Sequence, residues 1–111
     1  ATVVNGIKLM QFIGKGNPEA MKNVAFQIKA ETADSFAFVA AITDDAKCTL
    51  MVMLSDDLVK DGLHAGKIVK DAAKHIQGGG GGQPHFATAG GKNLDGMTIA
   101  VGTMKELIGV M

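Results

Sequence analysis

The side chains able to do covalent or metal chemistry are few and far apart. Cys48 is the single thiol, and His64, His75 and His85 are the three imidazoles. Their spacings of 16, 11 and 10 residues match no close-paired zinc pattern such as C-x-x-C or H-x-x-x-H. Cys48 falls inside a predicted strand, where a thiol behaves as a small hydrophobe rather than a nucleophile. His75 stands near a predicted helix C-terminus, a position explained by the helix dipole alone. Asp44-Asp45 and Asp56-Asp57 are carboxylate pairs, but neighbouring side chains diverge, and turn formation or capping accounts for them better. With no acid–base, nucleophile or metal constellation, the domain is expected to be non-catalytic by itself.

What remains is positive charge and bare backbone. All eleven cationic residues are lysines, balanced by eleven acids to a net charge of zero. That balance argues against a strongly basic nucleic-acid wrapper, and the lack of arginine removes bidentate phosphate clamps, leaving lysine point charges and backbone N–H groups. Lys67, Lys70 and Lys74 share one side of a predicted helix. A row of this kind is usually just a solvated face. Here it runs straight into five glycines, Gly78, Gly79, Gly80, Gly81 and Gly82, followed by Gln83-Pro84 and then by Gly90, Gly91 and Lys92. A flexible linker is one reading of such a run. Yet only about 30 residues follow it, too few for a second domain. Ordering glycines has a high entropic cost, so an ordered run implies a need for positive φ or for missing Cβ atoms. Close approach of another backbone, a phosphate or a stacked base would each supply that need, and successive N–H groups could form a weak anion cradle.

Known phosphate motifs do not fit. The run fails G-x-G-x-x-G, because its sixth position falls on Gln83, Pro84 or His85. "GGKN" (Gly90–Asn93) lacks the Ser/Thr of a Walker A loop and has Phe86 at the first-glycine position. "GKGNPE" has Glu19 where a dinucleotide-binding turn has its third glycine. With no Trp, no Tyr and five Phe, base stacking is limited to Phe86, which favours structured RNA read by shape and backbone over single strands.

The elements that must position these residues follow from periodicity. Val3–Gly14 is rich in large and β-branched apolar residues and predicts one strand buried on both faces. Asn17, Pro18 and Glu19 form a helix start, with Ala20, Met21, Val24, Ala25 and Ile28 as its apolar face. Ser35–Thr43 and Lys47–Leu54 predict an antiparallel hairpin. Ser55 could cap a short turn ended by Gly62. A second long helix spans His64–Gln77, with Val69, Ala72, Ala73 and Ile76 inward. The glycines then form a loop before a short strand, "HFATA", and a last helix places Met97, Val101, Met104 and Ile108 on one stripe. The seven methionines read as core fillers. The fold class expected is α/β, a single domain over residues 1–111 with a mixed β-sheet packed by amphipathic helices. No apolar run approaches the ~18 residues of a membrane span, and the single cysteine suits a reducing, cytoplasmic setting.

"GGGGGQPHFATAGG" closely resembles the glycine-rich signature near the C-terminus of alanyl-tRNA synthetases, here Gly78–Gly82, Pro84, Ala87 and Ala89-Gly90-Gly91. The upstream "VNGIKLM" and "SDDLVKDGLHAGKIVKDAAKHIQ" are similar to the same module, the C-terminal (C-Ala) globular domain, related to the DHH-associated domain of phosphoesterases. The resemblance implies a non-catalytic module that binds the tRNA elbow and helps aminoacylation and editing domains share one tRNA. It also implies a fragment of a longer chain, with ATP, magnesium and zinc used only in other domains of the parent and no cofactor here. Gln83 and His85 replace residues often basic and acidic in relatives, which shifts weight to Lys67, Lys70, Lys74 and Lys92. Two alternatives are the substrate-binding domain of a DHH-type phosphoesterase, whose loop typically reads Gly-Gly-Gly-His, and a homodimerisation module using glycines for close packing. Weak, micromolar-scale affinity with a shallow salt slope is expected, since few phosphates can be neutralised.

Overall fold

The computed structural model describes residues 2–4, 6–31, 35–44 and 47–109. Its single sheet has six strands in the order β1 (Thr2–Val4), β2 (Ile7–Lys15), β3 (Phe36–Asp44), β4 (Lys47–Leu54), β6 (Phe86–Gly91) and β5 (Gly79–Gly82). Only β2 and β3 run parallel, joined by the crossover helix α1 (Pro18–Glu31). Every other pairing is antiparallel: β1–β2, β3–β4 and β5–β6 are hairpins with short connections, whereas β4 reaches β6 through α2, α3 and β5. The mixed α/β expectation therefore holds.

Helix α1 starts as its sequence dictates: the Asn17 side-chain oxygen accepts from the backbone N–H of Glu19 at 2.9 Å and of Ala20 at 3.1 Å. Met21, Ala25 and Ile28 turn toward one face of the sheet and join Phe36, Phe38, Ile42, Met51 and Met53 there. The expected apolar face is narrower than drawn, because Ala20 and Val24 are exposed. The opposite face is covered by α3 (Ala65–Ala73) and α4 (Met97–Ile108). Val69, Ala72, Ala73 and Ile76 meet Met97, Val101, Met104 and Ile108 above Leu50, Val52 and Leu54, as the periodicity predicts. The short helix α2 (Asp56–Lys60) connects β4 to α3.

Two expectations are corrected. Val3–Gly14 is not one doubly buried strand: β1 and β2 pair antiparallel around Gly6, whose φ of +80° supplies the reversal, and along β2 burial alternates. The reason is position: β2 lies next to the sheet edge and is only partly covered on each face, with Ile7 and Leu9 meeting the α3–α4 side, Met10 and Phe12 the α1 side, and only Leu9 of the strand buried. The glycine run is not a loop. Gly79–Gly82 is the edge strand β5, paired with β6 in the register Gly79↔Gly90 to Gly82↔Ala87. Tertiary pairing and packing under α3 override the low strand propensity of glycine. The tip of the β3–β4 hairpin falls outside the described residues.

Candidate nucleic-acid interface

Helix α3 lies over β5 and β6 and is tied down at both ends. At its start the His64 ring accepts from the Lys67 backbone N–H at 3.3 Å, and the Ala65 N–H donates to the Pro84 carbonyl at 2.8 Å. At its end a 3-10 turn, Lys74–Ile76, closes on Gln77 in a left-handed conformation (φ 53°). The Ile76 carbonyl accepts from both Lys92 and Asn93 N–H groups at 3.0 Å, and the Asn93 side chain donates to the His75 carbonyl at 3.2 Å. The backbone of Lys92 is thereby fixed beside the end of α3 that carries Lys74.

This packing explains the glycines by space rather than by φ. Among the described glycines only Gly6, Gly62 and Gly109 have positive φ, so the run uses the other option, missing Cβ atoms. A Cβ on Gly80 would strike the Thr88 carbonyl and Ala89, and one on Gly82 would stand 2.8 Å from Ala87 and the Phe86 carbonyl. On α3 itself, a Cβ at Gly66 would stand 2.8 Å from the Gly82 carbonyl. Gly79 and Gly81 differ: a Cβ at either would meet nothing within 4 Å. The strand is thus pressed against its neighbours on alternate residues and open on the others. Its amides are arrayed along a sheet edge rather than in a concave cradle.

Lys67, Lys70 and Lys74 are exposed on the outer side of α3. Lys74 stands 4.0 Å from Asp71, an exposed pair of little energetic weight. Lys92 and Lys47 line a cleft of about 490 Å³ with Gln77, Gly90 and Gly91, at the end of the sheet where β5 begins. Gln83 and Pro84 form the exposed corner between β5 and β6. The fold therefore gathers the lysines, both glycine segments and the corner along the β5 edge of the sheet, with the lysine row facing outward from α3, the cleft where β5 begins and the corner where it ends.

The candidate catalytic side chains are dispersed. Cys48 is buried in β4, and burial raises its thiol pKa. His64 caps α3, while His75 lies in the 3-10 turn and His85 precedes β6. Among the described residues no three His, Cys, Asp or Glu side chains come together as a metal site. Asp57 is structural. Its carboxylate accepts from the Ser55 hydroxyl at 2.5 Å and from the Ser35 N–H at 3.0 Å on each oxygen, and these bonds, Ser55 first, hold its pKa below the usual value. The Ser55 hydroxyl also accepts from the Phe36 N–H at 3.0 Å, so it ties α2 to β3.

One group escaped the sequence reading. Lys22 and Phe26, one turn apart on α1, reach the Phe86 ring, with Phe26 at 5.0 Å between centroids and the Lys22 ammonium at 5.7 Å. Their i, i+4 spacing, to one side of the Met21–Ala25–Ile28 stripe, was the available signal.

Comparison with known proteins gives consistent matches. The model of the DHHA1 domain family matches residues 6–109. An alanine–tRNA ligase of Parabacteroides distasonis is 78% identical over 110 residues, covering 99% of this chain and 13% of that protein. One of Bacteroides thetaiotaomicron is 53% identical over 107 residues, covering 96% of this chain and 12% of that protein. The chain therefore spans only about an eighth of the length of these relatives. The crystal structure of the C-Ala domain from Aquifex aeolicus alanyl-tRNA synthetase superposes with a TM-score of 0.83 at 25% identity, covering 96% of each chain.

Proposed function

The chain belongs to the DHHA1 domain family, and from that premise we propose that it is a tRNA-binding accessory module of an alanine–tRNA ligase. In this reading the module contacts the elbow of alanine tRNA and holds the RNA so that aminoacylation and editing domains act on one molecule. It uses no cofactor, and ATP, magnesium and zinc serve the other domains of a cytoplasmic parent enzyme. Among the described residues no helix is long and apolar enough to cross a membrane.

The observation that carries the reading is the side-chain-free strand Gly79–Gly82 lying under a helix whose outer face is lysine. A polyanion can approach bare strand backbone closely, while Lys67, Lys70, Lys74 and Lys92 supply charge without demanding fixed geometry. Four lysines suit modest affinity and tolerance of sequence, as expected for recognition of RNA shape.

The test is binding of this chain to full alanine tRNA, to its acceptor-stem minihelix and to single-stranded RNA at two salt concentrations. Preference for full tRNA is the expected outcome. Equal or absent binding to all three would overturn autonomous tRNA recognition and favour homodimerisation or domain positioning.

A further inference from the structure

Helix α1 packs on β3 and β4 and leaves the same sheet face open over β6 and β5. Phe86 and Thr88 are only half-buried there, and Gly81 is exposed. Together with Lys22 and Phe26 they line a groove of about 340 Å³. It adjoins a second hollow of about 280 Å³ that shares Lys22, Phe86 and Thr88 and adds the Thr49 hydroxyl. The first volume is at the low end for small-molecule sites, the size for one planar group rather than a helix or a strand.

The chemistry of the walls narrows the occupant. The Phe26 and Phe86 rings meet at 46°, which leaves them splayed rather than stacked on each other, and Phe26 is 38% exposed. The Lys22 ammonium lies over Phe86 and among the described residues forms no ion pair. Glu19, one turn before Lys22, is the carboxylate at the rim of the adjoining hollow. Aromatic faces, an exposed cation and threonine side chains are what a nucleotide needs: a surface for the base, a charge for its phosphate and partners for ring edges. The groove lies beside Gly81, where the absence of a side chain keeps its floor open.

We propose that this groove takes one unpaired nucleobase of a bound RNA, stacked on Phe86 and Phe26 with the Lys22 ammonium moved onto the adjoining phosphate. The proposal rests on the RNA-binding reading above but concerns the opposite face of the sheet from the lysine row of α3.

The test uses a short single-stranded RNA with a central 2-aminopurine, whose fluorescence falls on stacking, and its counterpart with an abasic site at that position. The expected results are quenching by the chain and an affinity about tenfold weaker for the abasic RNA, within the range for loss of one stacked base. Phe26→Ala should weaken binding similarly, with the melting temperature lowered by no more than a few degrees for the lost pair with Phe86. Lys22→Gln should weaken it less while keeping the quenching. Phe86→Leu tests the buried half of the platform, with melting as its folding control. Equal binding of base-containing and abasic RNA, or of Phe26→Ala and the unmodified chain, overturns the proposal. So does protection of Phe26 by other domains of the full-length parent in the absence of RNA, which would make the groove an interdomain seam. Binding of full tRNA in parallel separates the two readings. Intact tRNA binding without quenching leaves the accessory module standing and removes the groove. Quenching without preference for full tRNA does the reverse.

Discussion

On the α3 side of β5 a methyl group at Gly80 or Gly82 would run into β6, whereas on the α1 side one at Gly79 or Gly81 would meet nothing within 4 Å. The same contrast extends outward. Beneath α3, Ala87 and Ala89 are buried with Ile68, Val69 and Ala72, and the helix turns its lysines to solvent. On the α1 side, Phe86 and Thr88 face a groove that is open among the described residues. One row of glycines therefore does two things: alternate residues let a strand fit beneath a helix, and the intervening ones leave a surface bare. Strand alternation is what separates the two roles within four residues.

The contrast is sharpest in substitutions along the strand. Gly80→Val should be the most damaging, costing about 3 kcal/mol or more because the colliding atoms are backbone and cannot rotate away. Thermal or urea denaturation checks this, and a near-normal melting temperature would remove the packing explanation. On the outer face, replacing Lys67, Lys70 and Lys74 together with Gln should lower tRNA affinity about tenfold at low salt and flatten the salt slope by roughly 2. Melting should stay unchanged, since all three side chains are exposed.

A position remote from both sides provides the control. Asp57 has a lowered pKa, so its contribution to stability is present above the unfolded carboxylate value, about 3.9. That contribution is lost as pH falls through the lower folded value. Asp57→Asn should reduce the melting temperature by a few degrees at pH 7, with the difference from the unmodified chain shrinking in acid and RNA binding unaffected. The smallest effect belongs to Gly81→Ala, which should change stability by less than about 1 kcal/mol while still weakening RNA binding measurably. A large loss of stability there would erase the distinction between the two sides.

The helices and the central hairpin were legible because their signals are local. Asn17 caps α1, the 3.6-residue stripe of α3 and α4 marks buried positions, and the burial of β3 and β4 on both faces follows from their apolar runs. Strand β5 was not legible: glycine carries no side-chain pattern, and only pairing with β6 and pressure from α3 make it extended. The β1–β2 reversal did have a signal, since Asn5-Gly6 is a hairpin dipeptide, outweighed in the sequence reading by the apolar run around it. The lysines and glycines of the candidate interface could be selected from the sequence, but their separation onto different sides of one sheet edge could not. The Lys22–Phe26–Phe86 groove needed the register of β6 against α1, a contact between residues some sixty positions apart.

The most direct test of the two-sided glycine end is a backbone amide NMR titration of this chain with full alanine tRNA. Shifts and broadening should concentrate at Gly79, Gly81, Lys67, Lys70, Lys74 and Lys92, with the amides of β2 unchanged. Perturbations centred on β2, or none at RNA concentrations that saturate binding measured by another method, would contradict it.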